Sequence, residues 1–437
     1  MGATTDQHAE ASVVVTPSTA LYSTPVTIRI TGVDPGTTVT LHARMAEDGD
    51  RWESQATFEA DRDGVVDVTQ QAPISGTYES ADRMGLLWSM ERKSSGNASG
   101  TDELADTDVE LAAVVEGETV ATTAFKRVLL DDVEHRAITD RGLVAEYYEP
   151  RGQGPHPPVV LLGGPEGGYP SRKPAALLAS KGYAVLAPAY FGIEGRPDAL
   201  EGIGLEYLTT ALDWLTARPS VQDAPVGIVG WSRGANLALL VGTRHPEVET
   251  VVAYAPSGIV FQGIPDGWYS AGSPWAEDGN DLPYVPYDFG SSFPLKAASR
   301  WVVRGRLQFK PIYERSLDSA DDELIEDARI PVEELDASLL LLSGTDDRVW
   351  ASPRFCQAIV DRLDRRGFDH RYTHRTYEGA GHVMGVPYTP TTDQDTVGTF
   401  VRGLPIDAGG SAAANARAAR KSWQAVLTQL EEGLNHD

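Results

Sequence analysis

The chain has one cysteine, Cys356, in 437 residues, and only seven lysines beside thirty arginines. A single cysteine excludes an intramolecular disulfide framework and any site built from several thiolates. No run approaches the roughly 18 consecutive apolar residues of a spanning helix. Positive charge is scarce: 37 Lys and Arg stand against 63 Asp and Glu, a formal net charge of −26. That field argues against a nucleic-acid binder and against a partner of anionic membranes, both of which need clustered positive charge. The stretch from Met1 to Asp6 has neither a basic nor an apolar segment of a secretory signal, and Asp6 stands where a myristoylation signal wants Ser or Thr. The nine histidines include no His-Glu-x-x-His pattern, so no metal is expected. These absences predict a cytoplasmic protein. The acidic excess with few lysines also predicts a halophilic protein, working where screening shortens to ~3 Å at 1 M salt.

Hydrophobic residues make up 41% of the chain, enough to bury sizeable cores in two domains. Residues 1–130 read as all-β. Val13-Val14-Val15, Val26 to Ile30, Val39 to Ala43 and Gln55 to Phe58 are short β-branched or alternating runs, separated by turns such as Asp34-Pro35-Gly36. Strands at this spacing suggest an immunoglobulin-like sandwich. Ser94 to Asp108, rich in Ser, Gly and acidic residues, reads as a long loop, and its sequon Asn97-Ala98-Ser99 as a chance match.

In residues 131–437 the texture changes. Apolar runs at Pro158–Leu162, Tyr183–Ala189, Val226–Gly230, Val251–Ala255 and Leu339–Ser343 alternate with helical patterns such as Leu205–Ala217 and Ala351–Arg366. This alternation predicts an α/β domain with a mostly parallel sheet.

The most informative residues are Gly230-Trp231-Ser232-Arg233-Gly234. They follow a strand and precede a helical pattern, the context of a nucleophile elbow that lifts a serine onto the tip of a sharp turn. A serine needs a base, and the base an orienting acid. On this architecture the order is Ser, acid, His. The strand Leu339–Leu342 runs into Thr345-Asp346-Asp347, and the run Tyr372–Tyr377 leads into Gly379-Ala380-Gly381-His382. Ser232, Asp347 and His382 are therefore the expected triad. Asp346 fits a turn or capping role, and His370 and His374 lie in or before a strand instead of on a glycine-bordered loop. The oxyanion donors are expected at the backbone N–H groups of Arg233 and Gly164, since Pro165 in the same loop has none.

The whole chain resembles the family of bile acid-CoA:amino acid N-acyltransferases and type I acyl-CoA thioesterases. Met84-Gly85-Leu86-Leu87-Trp88-Ser89 is similar to the family's N-terminal sandwich, and Leu177 to Gly182, Leu186 to Phe191 and Pro387-Tyr388-Thr389-Pro390 to its hydrolase domain. The resemblance implies an α/β-hydrolase fold, a Ser232–Asp347–His382 triad and acyl-CoA as substrate, with coenzyme A entering as part of the substrate and not as a cofactor. It also implies cysteine nucleophiles in the amino-acid-conjugating members and serine in the thioesterases, so Ser232 favours hydrolysis. Amino-acid acyltransfer, a dienelactone-hydrolase-like esterase and a non-catalytic scaffold are the alternatives.

Residues 263–329 depart from the family pattern and read as an insertion. It carries Trp268, Tyr269, Trp275, Tyr284, Tyr287, Phe289, Phe293 and Trp301, which could form a lid or simply pack a long loop. It also carries a basic run from which Arg300, Arg304, Arg306 and Lys310 are expected to bind coenzyme A phosphates. The alternative is ion pairing with the acidic segment Asp318–Asp327.

Overall fold

The computed structural model describes residues 10–94, 102–265, 271–303, 305–400 and 404–434. The chain divides into two compact units, one running to Asp131 and including Val386–Gln394, the other holding Asp132–Gly385 and Asp395 onward.

The first unit is a β-sandwich. A small sheet of Ser12–Thr16, Thr27–Thr31 and Val66–Asp67 accompanies a larger one in which Thr38–Glu47 pairs with both Asp50–Glu59 and Thr107–Val115. Along Thr38–Glu47, Val39, Leu41, Ala43 and Met45 are buried while their neighbours are not, the period-two alternation of a sheet with one face on a core. The expected loop from Ser94 ends sooner than the composition suggested, because Thr107 already opens a strand. The sequon lies outside the described residues. The Gly85–Trp88 turn is buried, and Trp88 O accepts hydrogen bonds from Thr391 N (3.0 Å) and Thr391 Oγ1 (3.2 Å). The sequence gives no local sign that residues 386–394 belong to this unit, since the contact joins positions three hundred residues apart.

The second unit is built on eight strands: β1 (Val133–Asp140), β2 (Leu143–Pro150), β3 (Pro158–Leu162), β4 (Ala184–Pro188), β5 (Val226–Trp231), β6 (Val248–Tyr254), β7 (Ser338–Gly344) and β8 (Tyr372–Tyr377). Their order is β1-β2-β4-β3-β5-β6-β7-β8. The β1–β2 and β2–β4 pairings are antiparallel and the others parallel. This is the α/β-hydrolase fold. All five residues of β3 are buried, as are those of β4, because helices cover both faces of a parallel sheet; hence their unbroken apolar runs. The helices are α1 (Arg172–Ala179), α2 (Glu206–Thr216), α3 (Arg233–Gly242), three between β6 and β7, α4 (Phe293–Val302), α5 (Lys310–Ser319) and α6 (Asp322–Asp327), then α7 (Ser352–Arg366) and α8 (Ala412–Leu434). Because these strands run parallel, the C-terminal ends of β5, β7 and β8 lie on one edge of the sheet, where ligands of open parallel sheets bind. Among the described residues no helix is long and apolar enough to cross a membrane.

Candidate active site

Ser232 sits between β5 and α3 with φ +53° and ψ −114°, a conformation costly for a residue bearing a Cβ. The flanking glycines make the turn possible. A Cβ on Gly230 would lie 2.3 Å from Gly234 O, and one on Gly234 would lie 2.0 Å from Gly163 O. Ser232 N donates to Tyr254 O at 2.8 Å, and Trp231 stacks on the Tyr254 ring with centroids 4.7 Å apart. The elbow is thus pinned to the neighbouring strand.

The structure brings the three expected side chains together. His382 Nε2 lies 3.0 Å from Ser232 Oγ, and its Nδ1 lies 2.9 Å from Asp347 Oδ2. Asp347 is buried, and its lone pairs are well used: Oδ1 accepts from Val349 N (2.9 Å) and Trp350 N (3.2 Å), and Oδ2 also accepts from Ser352 Oγ (2.6 Å). His382 is fixed by its own N–H, which donates to Ala408 O at 2.8 Å, and by Gly381 N, which donates to Asn415 Oδ1 at 2.9 Å.

The rival residues are engaged elsewhere. Asp346 accepts two hydrogen bonds from Arg348, at 3.0 and 3.1 Å, and one from Gly410 N. His370 faces Asp336 at 3.0 Å, and His374 Nε2 lies 2.8 Å from Ser343 Oγ inside the sheet. Cys356 is buried in α7, and burial pushes its thiol pKa up, which leaves it without thiolate character.

Arg233 has two parts with separate tasks. As the first residue of α3 its N–H has no intrahelical acceptor and lies at the positive end of the helix dipole. Its guanidinium is buried, donating to Phe261 O (3.2 Å), Gln262 O (2.9 Å) and the Tyr287 hydroxyl. The rings of Tyr287, Tyr313 and Trp350 stand 5.7–6.0 Å from its Cζ, so aromatic faces and carbonyls share the task of solvating a buried cation. The segment carrying Gln262, Tyr287 and Tyr313 is thereby anchored to the residue next to Ser232. Nothing in the spacing of Arg233 signals this; only the buried position reveals it.

Gly164 lies at the end of β3. A Cβ there would be 3.6 Å from Ser232 Cβ, which puts Gly164 beside the elbow. Its loop is braced by Tyr190, whose hydroxyl faces Gly163 O at 2.6 Å and Gly164 O at 2.8 Å. Sequence reasoning missed Tyr190, Trp350 and Ser352 because their roles depend on contacts across elements.

The aromatics of residues 263–329 divide. Trp275 is fully buried against Tyr190, with centroids 5.8 Å apart, while Tyr287 joins the cluster around Arg233. Of the basic run, Arg300 is exposed on α4, Arg306 is ion-paired with Asp395, and Lys310 opens α5 with its N–H on Arg348 O. The Arg306 pairing goes to Asp395, not to Asp318–Asp327. Trp268, Tyr269 and Arg304 lie outside the described residues, as does the Trp301 side chain. Among the described residues no group of three or more His, Cys, Asp or Glu is placed to hold a metal ion.

Known proteins are similar over nearly the whole length. Mouse acyl-coenzyme A amino acid N-acyltransferase 2 is 28% identical over 94% of this chain and 95% of its own. Mouse acyl-coenzyme A thioesterase 6 is 27% identical, over 95% and 94%. A solved dienelactone hydrolase-like promiscuous phosphotriesterase from metagenomic libraries aligns with 70% of this chain and 100% of its own, at 16% identity and a TM-score of 0.43. Residues 23–140 match the acyl-CoA thioester hydrolase/BAAT N-terminal region, and residues 203–436 match the BAAT/acyl-CoA thioester hydrolase C-terminal region. The chain belongs to the acyl-CoA thioester hydrolase/BAAT family.

Proposed function

We propose that this protein is an acyl-CoA thioesterase that works through Ser232, His382 and Asp347. The observation that carries the reading is the continuous hydrogen-bonded line from Ser232 Oγ through His382 to Asp347, in a member of this family. Ser232 Oγ attacks the thioester carbonyl while His382 Nε2 takes its proton. The Arg233 and Gly164 N–H groups receive the charge that develops on the carbonyl oxygen. The tetrahedral adduct collapses with cleavage of the C–S bond, and His382 returns the proton to the departing coenzyme A thiolate. Water then attacks the acyl-serine, giving its proton to His382. Collapse releases the free acid, and Ser232 regains its proton. Asp347 holds the imidazole in the tautomer this needs and stabilises the imidazolium. No cofactor enters these steps.

Amine acceptors in place of water are the second reading, because the relatives include N-acyltransferases at much the same identity as thioesterases. We assign the coenzyme A phosphates to Arg300 and Lys310, in a stretch from 289 to 313 that contains no acidic residue. In a chain of net charge −26 the polyanionic substrate is repelled at low salt, and molar salt removes most of that barrier. Activity of folded enzyme toward acyl-CoA therefore rises with salt.

The test is release of free thiol from a panel of acyl-CoAs, with and without glycine or taurine, for wild type and Ser232→Ala. Serine-dependent release of free acid supports the thioesterase; amide formed on adding the amine makes it a transferase. Turnover of oxygen esters with no thioester turnover moves the reading to an esterase.

A further inference from the structure

The N–H of Gly164 is already taken. It donates to Oε1 of Glu166, two residues along the same loop, at 3.0 Å. The carboxylate lies close to the elbow: the position a Gly164 Cβ would occupy is 2.8 Å from Glu166 Oε2 and 3.6 Å from Ser232 Cβ. Tyr190, whose hydroxyl holds this loop through Gly163 O and Gly164 O, senses the same charge. Burial raises its phenol pKa first, the Glu166 charge raises it further, and Arg233 opposes.

A backbone N–H has one hydrogen and makes one good bond. While Glu166 accepts it, a thioester carbonyl cannot. A carboxylate left in place would also repel the oxyanion that forms in the transition state, where a donor is most valuable. Both considerations require the carboxylate to leave before the chemistry. Glu166 is otherwise exposed, so its carboxylate has water to return to.

We propose that Glu166 is a self-supplied occupant of the oxyanion site, which the substrate carbonyl displaces from Gly164 N–H before Ser232 attacks. This rests on the serine-hydrolase reading above. Glu166 thereby sets how tightly the resting site accepts any oxyanion ligand. If the carboxylate holds the N–H nine-tenths of the time, apparent affinity for such a ligand falls about tenfold.

The probe is octylboronic acid, to which Ser232 adds through Oγ with its proton passing to His382. The resulting tetrahedral boronate carries its negative charge into the oxyanion site. Inhibition constants are measured for wild type, Glu166→Ala, Glu166→Gln and Ser232→Ala, with circular dichroism and thermal melts to establish folding. The proposal expects Glu166→Ala to bind the boronate about tenfold more tightly than wild type. Glu166→Gln is expected to fall between them, since a neutral amide oxygen competes less well for the N–H. Should Glu166→Ala fail to fold, Glu166→Gln carries the test alone. Unchanged or weakened boronate affinity in the folded Glu166 variants, with wild type still inhibited through Ser232, overturns the proposal and leaves the serine reading intact. If wild type binds boronate no better than Ser232→Ala does, the serine reading fails and this proposal fails with it.

Discussion

Trp350 stands edge-on to His382, with ring centroids 5.8 Å apart and planes at 75°. The same tryptophan donates its backbone N–H to Asp347, and its indole N–H to Ala255 O at 3.0 Å. One buried side chain thus touches the imidazole and, through its backbone, the acid behind it. It also stands over the Arg233 guanidinium. Trp350→Ala opens a large cavity at this junction and is expected to cost about 3–5 kcal/mol of stability. Trp350→Phe keeps an aromatic edge but loses the bond to Ala255. Its kcat is expected to fall by less than about tenfold, as steady-state kinetics on folded protein would reveal. A Trp350→Phe enzyme as inactive as Ser232→Ala would contradict this assignment.

The two adjacent aspartates make a clean comparison. Asp347→Asn puts the wrong partner on His382 Nδ1 and is expected to lower kcat by about 10⁴-fold. Asp346→Asn loses an exposed ion pair with Arg348, worth about 1 kcal/mol at most, and should keep nearly full kcat. Equal losses in the two variants would refute the distinction.

His374 links pH to stability. Burial lowers its pKa in the folded protein, so the folded state resists a proton that the unfolded chain accepts near its ordinary value of about 6.5. As pH falls below that value the unfolded state binds more protons, and stability drops until the folded His374 also titrates. His374→Gln should flatten the decline in Tm between about pH 6.5 and 5. A variant whose Tm falls as steeply as wild type over that range excludes His374 as the cause.

Charge reversal separates the two ends of the substrate. Arg300→Glu combined with Lys310→Glu is expected to raise KM for acyl-CoA about fivefold or more, from roughly 1 kcal/mol of lost attraction at an exposed and a half-buried site. KM for the corresponding acyl-pantetheine, which lacks the nucleotide phosphates, should stay unchanged. A parallel rise for both substrates would remove these residues from phosphate recognition.

Much of this was legible in the chain itself. Gly230-Trp231-Ser232-Arg233-Gly234 announces its turn because the close approach of Gly230 to Gly234 O admits no other residue, a local constraint that leaves a local mark. Asp347 was readable because it follows the plain apolar run of β7, and His382 because it follows the strand-like run of β8 on a glycine-bordered loop. The buried strands of the sheet read as continuous apolar stretches for the same reason. What stayed hidden depends on distant pairs. Nothing local to Arg233 shows that its guanidinium is buried until Phe261, Gln262 and Tyr287 are placed around it. Thr391 meets Trp88 across three hundred residues. Glu166 reads as a loop carboxylate until the loop folds back onto Gly164.

Serine-dependent thiol release tests the thioesterase chemistry of Ser232 most directly. Wild type and Ser232→Ala, both established as folded in molar salt, are compared on a long-chain acyl-CoA with the product acid followed in parallel. Stoichiometric thiol and free acid are expected from wild type, and a loss of at least about 10³-fold in Ser232→Ala. Wild type and Ser232→Ala releasing thiol at the same rate would contradict that chemistry.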